Sequence, residues 1–377
     1  MKRRNFLKGL AVSAAYAAVP WCLPGCFRRT APLRWSLDQK IGQMLLVGFR
    51  GSELHGPEPI VRDLVRYGLG GVVLFDYDVL LKSYGRNLVS PKQLSALTAR
   101  LRNLSRLPLL IAVDQEGGRV ARLKEDRGFP PTVSAQRLGE ADDLALTRRR
   151  AGGIAAALRD NGINLNFAPV VDLNSNPDNP VIGRLERSFS KDPQVVVSHA
   201  REFVRAHDLH DVFTCLKHFP GHGSSAADSH QGFVDVTGTW REEELEPYRA
   251  LISQGLARLV MTAHIFNRRL DPVYPATLSQ ATITGLLRDA LGFDGVVVSD
   301  DLQMGAIRQN FSFETAVEKS IQAGVDILLL ANNLEYDPDV VPRTVALVAE
   351  LVDRGVVAGE RIDASWRRIM RLKGGIA

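Results

Sequence analysis

The stretch Lys217–His230 reads "KHFPGHGSSAADSH" and holds three of the chain's eight histidines. Asp228 and His230 stand two residues apart, so a turn can bring carboxylate and imidazole together. A carboxylate on one ring nitrogen fixes the tautomer and stabilises the imidazolium, leaving the other nitrogen free to donate a proton. Gly221 and Gly223 make the stretch a loop, and His222 between them can brace it. Lys217 and His218 come just before and are compact donors suited to ligand hydroxyls. His218, His222, Asp228 and His230 are also possible metal ligands. They lack a helix-borne HExxH or a similar fixed spacing. Proton transfer is the better reading, and no metal or other cofactor is expected.

A second stretch, "GFDGVVVSDDLQMGA", puts Asp300 directly after an apolar run. A carboxylate there can attack a sugar's anomeric carbon and hold it as a covalent ester. An aspartate after a strand can equally cap the following helix. With Asp301 adjacent, one can cap while the other reacts. In "AVDQEGGRVAR", Asp114 ends a run and can accept two hydroxyls at once. Glu116 can be structural or a second acid, and Arg119 and Arg122 can reach inward or lie on the surface. Arg187, in "NPVIGRLERSFSKDP", can clamp a polar ligand or pin its own loop.

These residues need elements to hold them. After Arg34 the chain alternates short apolar runs with longer mixed segments. The runs are "MLLVGF", "GGVVLF", "PLLIAVD", "INLNFAPVVDL", "VFTCLKH", "RLVMTAH", "FDGVVVSDD" and "GVDILLLANN". Such uninterrupted runs suit parallel strands buried on both faces. Between them, "SPKQLSALTARLRNLS" and "EEELEPYRALISQGL" have helical spacing, the first opening on Ser90 as N-cap and Pro91 at the first helical position. About eight strands alternating with helices predict an α/β fold, a (β/α)8 TIM barrel over residues 35–375. Asp114, Asp172, Lys217, His218, His264, Asp300 and Asp301 all fall at C-terminal ends of runs. In a parallel barrel those ends open on one face, where active sites sit. A doubly wound sheet fits less well, because no glycine-rich dinucleotide turn follows the first strand.

The chain has 377 residues, 45% hydrophobic and 24% charged, which is ample for a sizeable core. Its formal charge is +5, but Lys2, Arg3, Arg4 and Lys8 stand unopposed in the first 25 residues. The body is therefore nearly neutral and gives nucleic-acid binding no electrostatic support. The opening, "MKRRNFLKGLAVSAAYAAVPWCLPGC", is basic and then apolar, and resembles a twin-arginine export signal. "LPGC" resembles a lipoprotein processing box, with Cys26 as the lipid-bearing residue and an unusual proline at Pro24. Residues 1–26 are thus read as an export signal. A periplasmic or otherwise extracytoplasmic, membrane-anchored protein is expected. The only other cysteines are Cys22, which leaves with the signal, and Cys215, read as an inert core residue; no disulfide is expected.

Taken together, "DQEGGRVAR", "VIGRLERSFSKDP", "KHFPGHGSSAADSH" and "GVVVSDDLQM" resemble glycoside hydrolase family 3, specifically its single-barrel β-N-acetylglucosaminidases. The resemblance implies Asp300 as nucleophile and His230 as general acid/base oriented by Asp228. It implies Asp114, Arg122, Arg187, Lys217 and His218 as binders of the N-acetylglucosamine ring. It also implies hydrolysis with retention, through a glycosyl-aspartate; an exported enzyme of this kind would fit peptidoglycan fragments as substrate. Three residues, "RLE", stand between "VIG" and "RSF" where the family usually has one, which could shift Arg187. "GHGSS" replaces the commoner "GHGDT", and Gln303 stands where a small residue is usual. The end near residue 377 leaves no room for the second domain of many family β-glucosidases and favours the hexosaminidase branch. A β-glucosidase, a phosphorylase on the same barrel and a non-catalytic sugar-binding lipoprotein are the alternatives.

Overall fold

The computed structural model describes residues 35–374. Each apolar run forms a strand: β1 Leu45–Gly48, β2 Gly71–Val73, β3 Leu110–Val113, β4 Leu165–Asn166, β5 Phe213–Phe219, β6 Leu259–Thr262, β7 Val296–Val298 and β8 Leu328–Leu330. Every residue of these strands is buried, which is why the sequence shows runs and not alternation. β1 to β7 pair in parallel with their chain neighbours, and β1 also pairs with β8, Leu45 opposite Leu328. The remaining gap is bridged at Val298 and Ile327. There Ile327 N–H donates to Val297 O at 2.9 Å and Ser299 N–H to Ile327 O at 2.9 Å. The ring is a closed (β/α)8 barrel, as the pattern of runs predicts.

Helices cross back outside the strands, among them Pro91–Leu104, Leu144–Asp160, Pro193–Asp208 and Val340–Asp353. Ser90 Oγ accepts from Gln93 N–H, so the expected cap is present. "EEELEPYRALIS" splits into a tight turn, Glu242–Leu245, and a helix, Glu246–Ser253. "INLNFAPVVDL" yields only two strand residues; Ala168–Pro169 follows, and proline supplies no N–H for a ladder. No helix among the described residues is long and apolar enough to cross a membrane. Residues 1–26, with Cys22 and Cys26, lie outside the described residues; Cys215 is a buried free thiol whose pKa burial pushes up.

The two ends of the barrel hold different chemistry. At the N-terminal end Lys373 is buried, donating at 2.7 Å to Gln43 Oε1 and at 2.7 Å to Gly70 O. At the seam, buried Asp326 accepts from Val297 N–H at 3.0 Å, Arg288 Nη2 at 2.6 Å and Ser365 Oγ at 2.8 Å. One carboxylate thus joins β7, the start of β8 and the final helix Gly359–Lys373. Removing one partner of a buried ion pair leaves the other charge uncompensated. Asp326→Ala should lower the free energy of unfolding by about 3–5 kcal/mol, read as a reduced midpoint in urea denaturation.

Candidate active site

Asp114 follows β3, Lys217 and His218 lie in β5, and Asp300 follows β7 by two residues. All eight residues singled out above (Asp114, Arg122, Arg187, Lys217, His218, Asp228, His230 and Asp300) line one cavity of about 500 Å³ at the C-terminal end of the barrel. Seven of the eight barrel strands, β2 to β8, send residues from or just beyond their ends to its wall.

The floor is a web of paired charges. Lys217 Nζ is buried and donates to Asp114 Oδ1 at 2.8 Å, with Glu116 Oε1 at 2.7 Å. Arg187 grips Glu116 with both prongs of its guanidinium, 2.7 Å each, and donates to Val181 O at 2.7 Å. Burial opposes ionisation of Asp114 and Glu116, but the cations outweigh it: Lys217 and Arg122 at Asp114, Arg187 and Lys217 at Glu116. Both carboxyls therefore sit below the usual range. Arg187 and Lys217 are likewise held charged against burial by these carboxylates. Arg122 lies 3.5 Å from Asp114.

The extra residues before Arg187 do not displace it. They form a turn in which Glu186 N–H donates to Gly183 O and Arg187 N–H to Ile182 O at 3.1 Å. Glu186 takes a positive φ of 57° there. The chain folds back on itself and returns Arg187 to the cavity.

His218 has a fixed protonation state. Its Nδ1 lies 2.7 Å from Asp172 Oδ2, while Nε2 faces Arg187 Nη2 at 3.3 Å. Nδ1 therefore carries the hydrogen and Nε2 accepts. Burial and the charges of Arg187 and Lys217 hold its pKa well below the ordinary histidine value. Asp172 also accepts from His218 N–H and, at 2.8 Å, from His222 N–H. The His222 ring bonds Ser225 and Ser229, so it braces the loop. Among the described residues no group of three or more His, Cys, Asp or Glu side chains has the geometry to hold a metal ion.

The two adjacent aspartates divide their roles. Asp301 is buried and accepts from Ala331 N–H at 3.0 Å and Gln303 N–H at 3.2 Å, which fixes the turn. Burial pushes its pKa up to about 7. Asp300 is partly open to the cavity and accepts from Asp301 N–H at 2.8 Å. Burial works against its ionisation, but His264, His218, His230 and that N–H prevail, so its carboxyl lies below the usual range. His264 supports the turn from below, Nε2 to Asp301 O at 2.9 Å.

Across the cavity Asp228 Oδ1 accepts from both the backbone N–H and Nδ1 of His230, each at 2.8 Å. Nδ1 carries the hydrogen, and Nε2 remains for a ligand. The His230 side chain is 52% exposed, unlike the buried histidines below it. Its pKa is raised: burial opposes this, but Asp228 and Asp300 outweigh it. The far end of its loop docks on the short helix Gly305–Arg308, with Gly305 N–H to His230 O and Ala306 N–H to Ser229 O, both 3.1 Å. Gly305 is required for this approach, since a Cβ there would stand 2.7 Å from His230 O. The helix that follows the Asp300 turn therefore sets the height of His230.

Glu116, Asp172, His264 and Gly305 are the parts that spacing alone did not assign. Asp172 and His264 were visible as polar residues at run ends, and Glu116 as an undecided acid. Gly305 carried no signal.

The closed parallel barrel gathers buried carboxylates, cations and a carboxylate–histidine pair at its C-terminal mouth, where barrel enzymes hold their active sites. The chain belongs to glycosyl hydrolase family 3, whose N-terminal domain model matches residues 36–372. It is 34% identical to beta-hexosaminidase A of Pseudoalteromonas piscicida over 89% of this chain and 60% of that protein. It is 37% identical to a beta-hexosaminidase of Xylella fastidiosa, over 86% of this chain and 95% of the other. Among solved structures, a family 3 beta-N-acetylglucosaminidase from Paenibacillus superposes with a TM-score of 0.82 at 35% identity. That match covers 91% of this chain and 63% of the other. A beta-N-acetylhexosaminidase from Beutenbergia cavernae gives 0.79 at 31% identity, covering 90% and 99%. The chain thus spans less than two thirds of the Pseudoalteromonas and Paenibacillus proteins and nearly all of the other two.

Two outcomes follow from the geometry. Asp228→Asn removes the negative charge beside Nδ1 while leaving an amide oxygen to accept from it, so the His230 imidazole should titrate at lower pH than in the parent, measured by NMR of its ring protons. Gly305→Ala should unseat the loop, raising hydrogen exchange across residues 228–232 while leaving exchange in the barrel strands unchanged.

Proposed function

We propose that this protein is an exo-acting β-N-acetylglucosaminidase that releases terminal β-linked N-acetylglucosamine with retention. The observation that carries the reading is one cavity holding an ionised, ligand-facing Asp300 and a half-exposed His230 whose proton Asp228 supports. The relatives' hexosaminidase names agree with it. The pocket, about 500 Å³ at the strand ends, would take a terminal ring. Asp114, Lys217, Arg187, His218 and Arg122 bind the ring hydroxyls and the acetamido group.

In the first step an Asp300 oxygen attacks C1 as the C1–O bond breaks, and His230 Nε2–H gives its proton to the departing oxygen. The glycosyl ester of Asp300 results. In the second, neutral His230 takes a proton from water, the water oxygen attacks C1, and Asp300 leaves as carboxylate. Asp228 keeps the imidazole in the Nδ1–H form throughout.

Peptidoglycan fragments are the proposed substrates. Arg119, 62% exposed at the rim, and Arg122 would meet their carboxylates. The reading of residues 1–26 as an export and lipid-anchoring segment supports an extracytoplasmic enzyme near that polymer. A phosphorylase is the second reading, because a histidine acid/base repels incoming phosphate less than a carboxylate would.

Asp300→Ala should abolish release of 4-nitrophenol from the N-acetylglucosaminide, and a 5-fluoro amino sugar should label Asp300 in peptide maps. A preference for the glucoside, label elsewhere, or N-acetylglucosamine-1-phosphate formed in phosphate buffer would each overturn a stated part.

A further inference from the structure

The loop that carries His230 leaves the barrel through the turn Pro220–Gly223, and that turn is gripped from two sides. On one side Asp172 accepts from His222 N–H, and Asn179 Nδ2 donates to His222 O at 2.8 Å and to Gly223 O at 3.1 Å. On the other stands the segment that follows the loop. Trp240 Nε1–H donates to Pro220 O at 3.0 Å, and Glu244 Oε2 accepts from Gly223 N–H at 3.1 Å. Glu244 is buried and presses on the turn closely: a Cβ on Gly221 would lie 2.5 Å from Oε2.

We propose that Glu244 is a positioning residue, locking the turn at the base of the acid/base loop so that only the short arm around residues 226–232 is free to carry His230. This rests on His230 being the acid/base. With the base locked and the tip docked on Gly305, the imidazole has little freedom in reach. Without Glu244, the arm extends back toward Pro220.

The carboxyl holds its proton more tightly than an ordinary glutamate. Burial, with the Asp172 carboxylate next in weight, pushes its pKa up to about 8, and the hydrogen bond from Gly223 only partly offsets them. A neutral acid brings no second buried charge beside Asp172. The amide of Glu244→Gln can do the same work.

The test separates positioning from general damage by the leaving group. Departure of a sugar aglycone needs the proton from His230; departure of 2,4-dinitrophenolate does not. Glu244→Ala and the volume-keeping Glu244→Leu should lower kcat/KM on a disaccharide roughly ten- to hundredfold. They should change kcat/KM on the dinitrophenyl glycoside, which reports only the first step, far less, and Glu244→Gln should recover most of the loss. Equal losses on both substrates, or no loss on either, would overturn the proposal. His230→Ala is run alongside. If it lacks the leaving-group signature, the acid/base reading itself fails; if it alone has it, only the role of Glu244 does.

Discussion

The site depends on burying a lysine and an arginine at the mouth of a barrel. A buried cation is costly unless carboxylates and hydrogen-bond acceptors meet it. Here Glu116 answers both Lys217 and Arg187, and Asp114 answers Lys217 a second time. Those four side chains come from the β3 end, β5 and the loop after β4. Their mutual neutralisation fixes three strand ends relative to one another. It also leaves a row of oriented donors and acceptors facing the cavity, which is what a polyhydroxylated ring requires.

The same web governs proton chemistry. Arg187 and Lys217 beside His218 keep that imidazole neutral, so it can serve as a donor or acceptor of fixed polarity. His230, farther from the cations and bonded to Asp228, goes the other way and holds its proton. Two histidines twelve residues apart thus acquire opposite states from their neighbours. The same holds for Asp300 and Asp301, one ionised toward the cavity, the other tied into the backbone turn with its proton retained more strongly.

A rigid scaffold and a loop fastened at both ends share the work. The strand ends carry Asp114, Lys217, His218 and Asp300, whose backbones are held in the barrel ladder or its immediate turns. His230 sits on a loop fastened at both ends, by the clamped turn at Pro220–Gly223 and by the Gly305 helix. A group that must deliver a proton to one oxygen and later withdraw one from water gains from such an arrangement, because its direction and its reach are both held.

The sequence by itself determined the strand count, the parallel architecture and the list of polar residues at the mouth. Burial on both faces forces apolar runs, and the ends of those runs are where polarity is allowed to begin. It also paired Asp228 with His230, since two residues in a turn cannot be far apart. Only the tertiary structure decided which charges neutralise which. Glu116 and Arg187 are 71 residues apart in the chain, and no local spacing encodes their contact. The docking of His230 on Gly305, and the Asp326 seam, are likewise contacts between distant segments. Protonation states follow from those contacts and from the water they exclude, so they become legible only once the chain has closed.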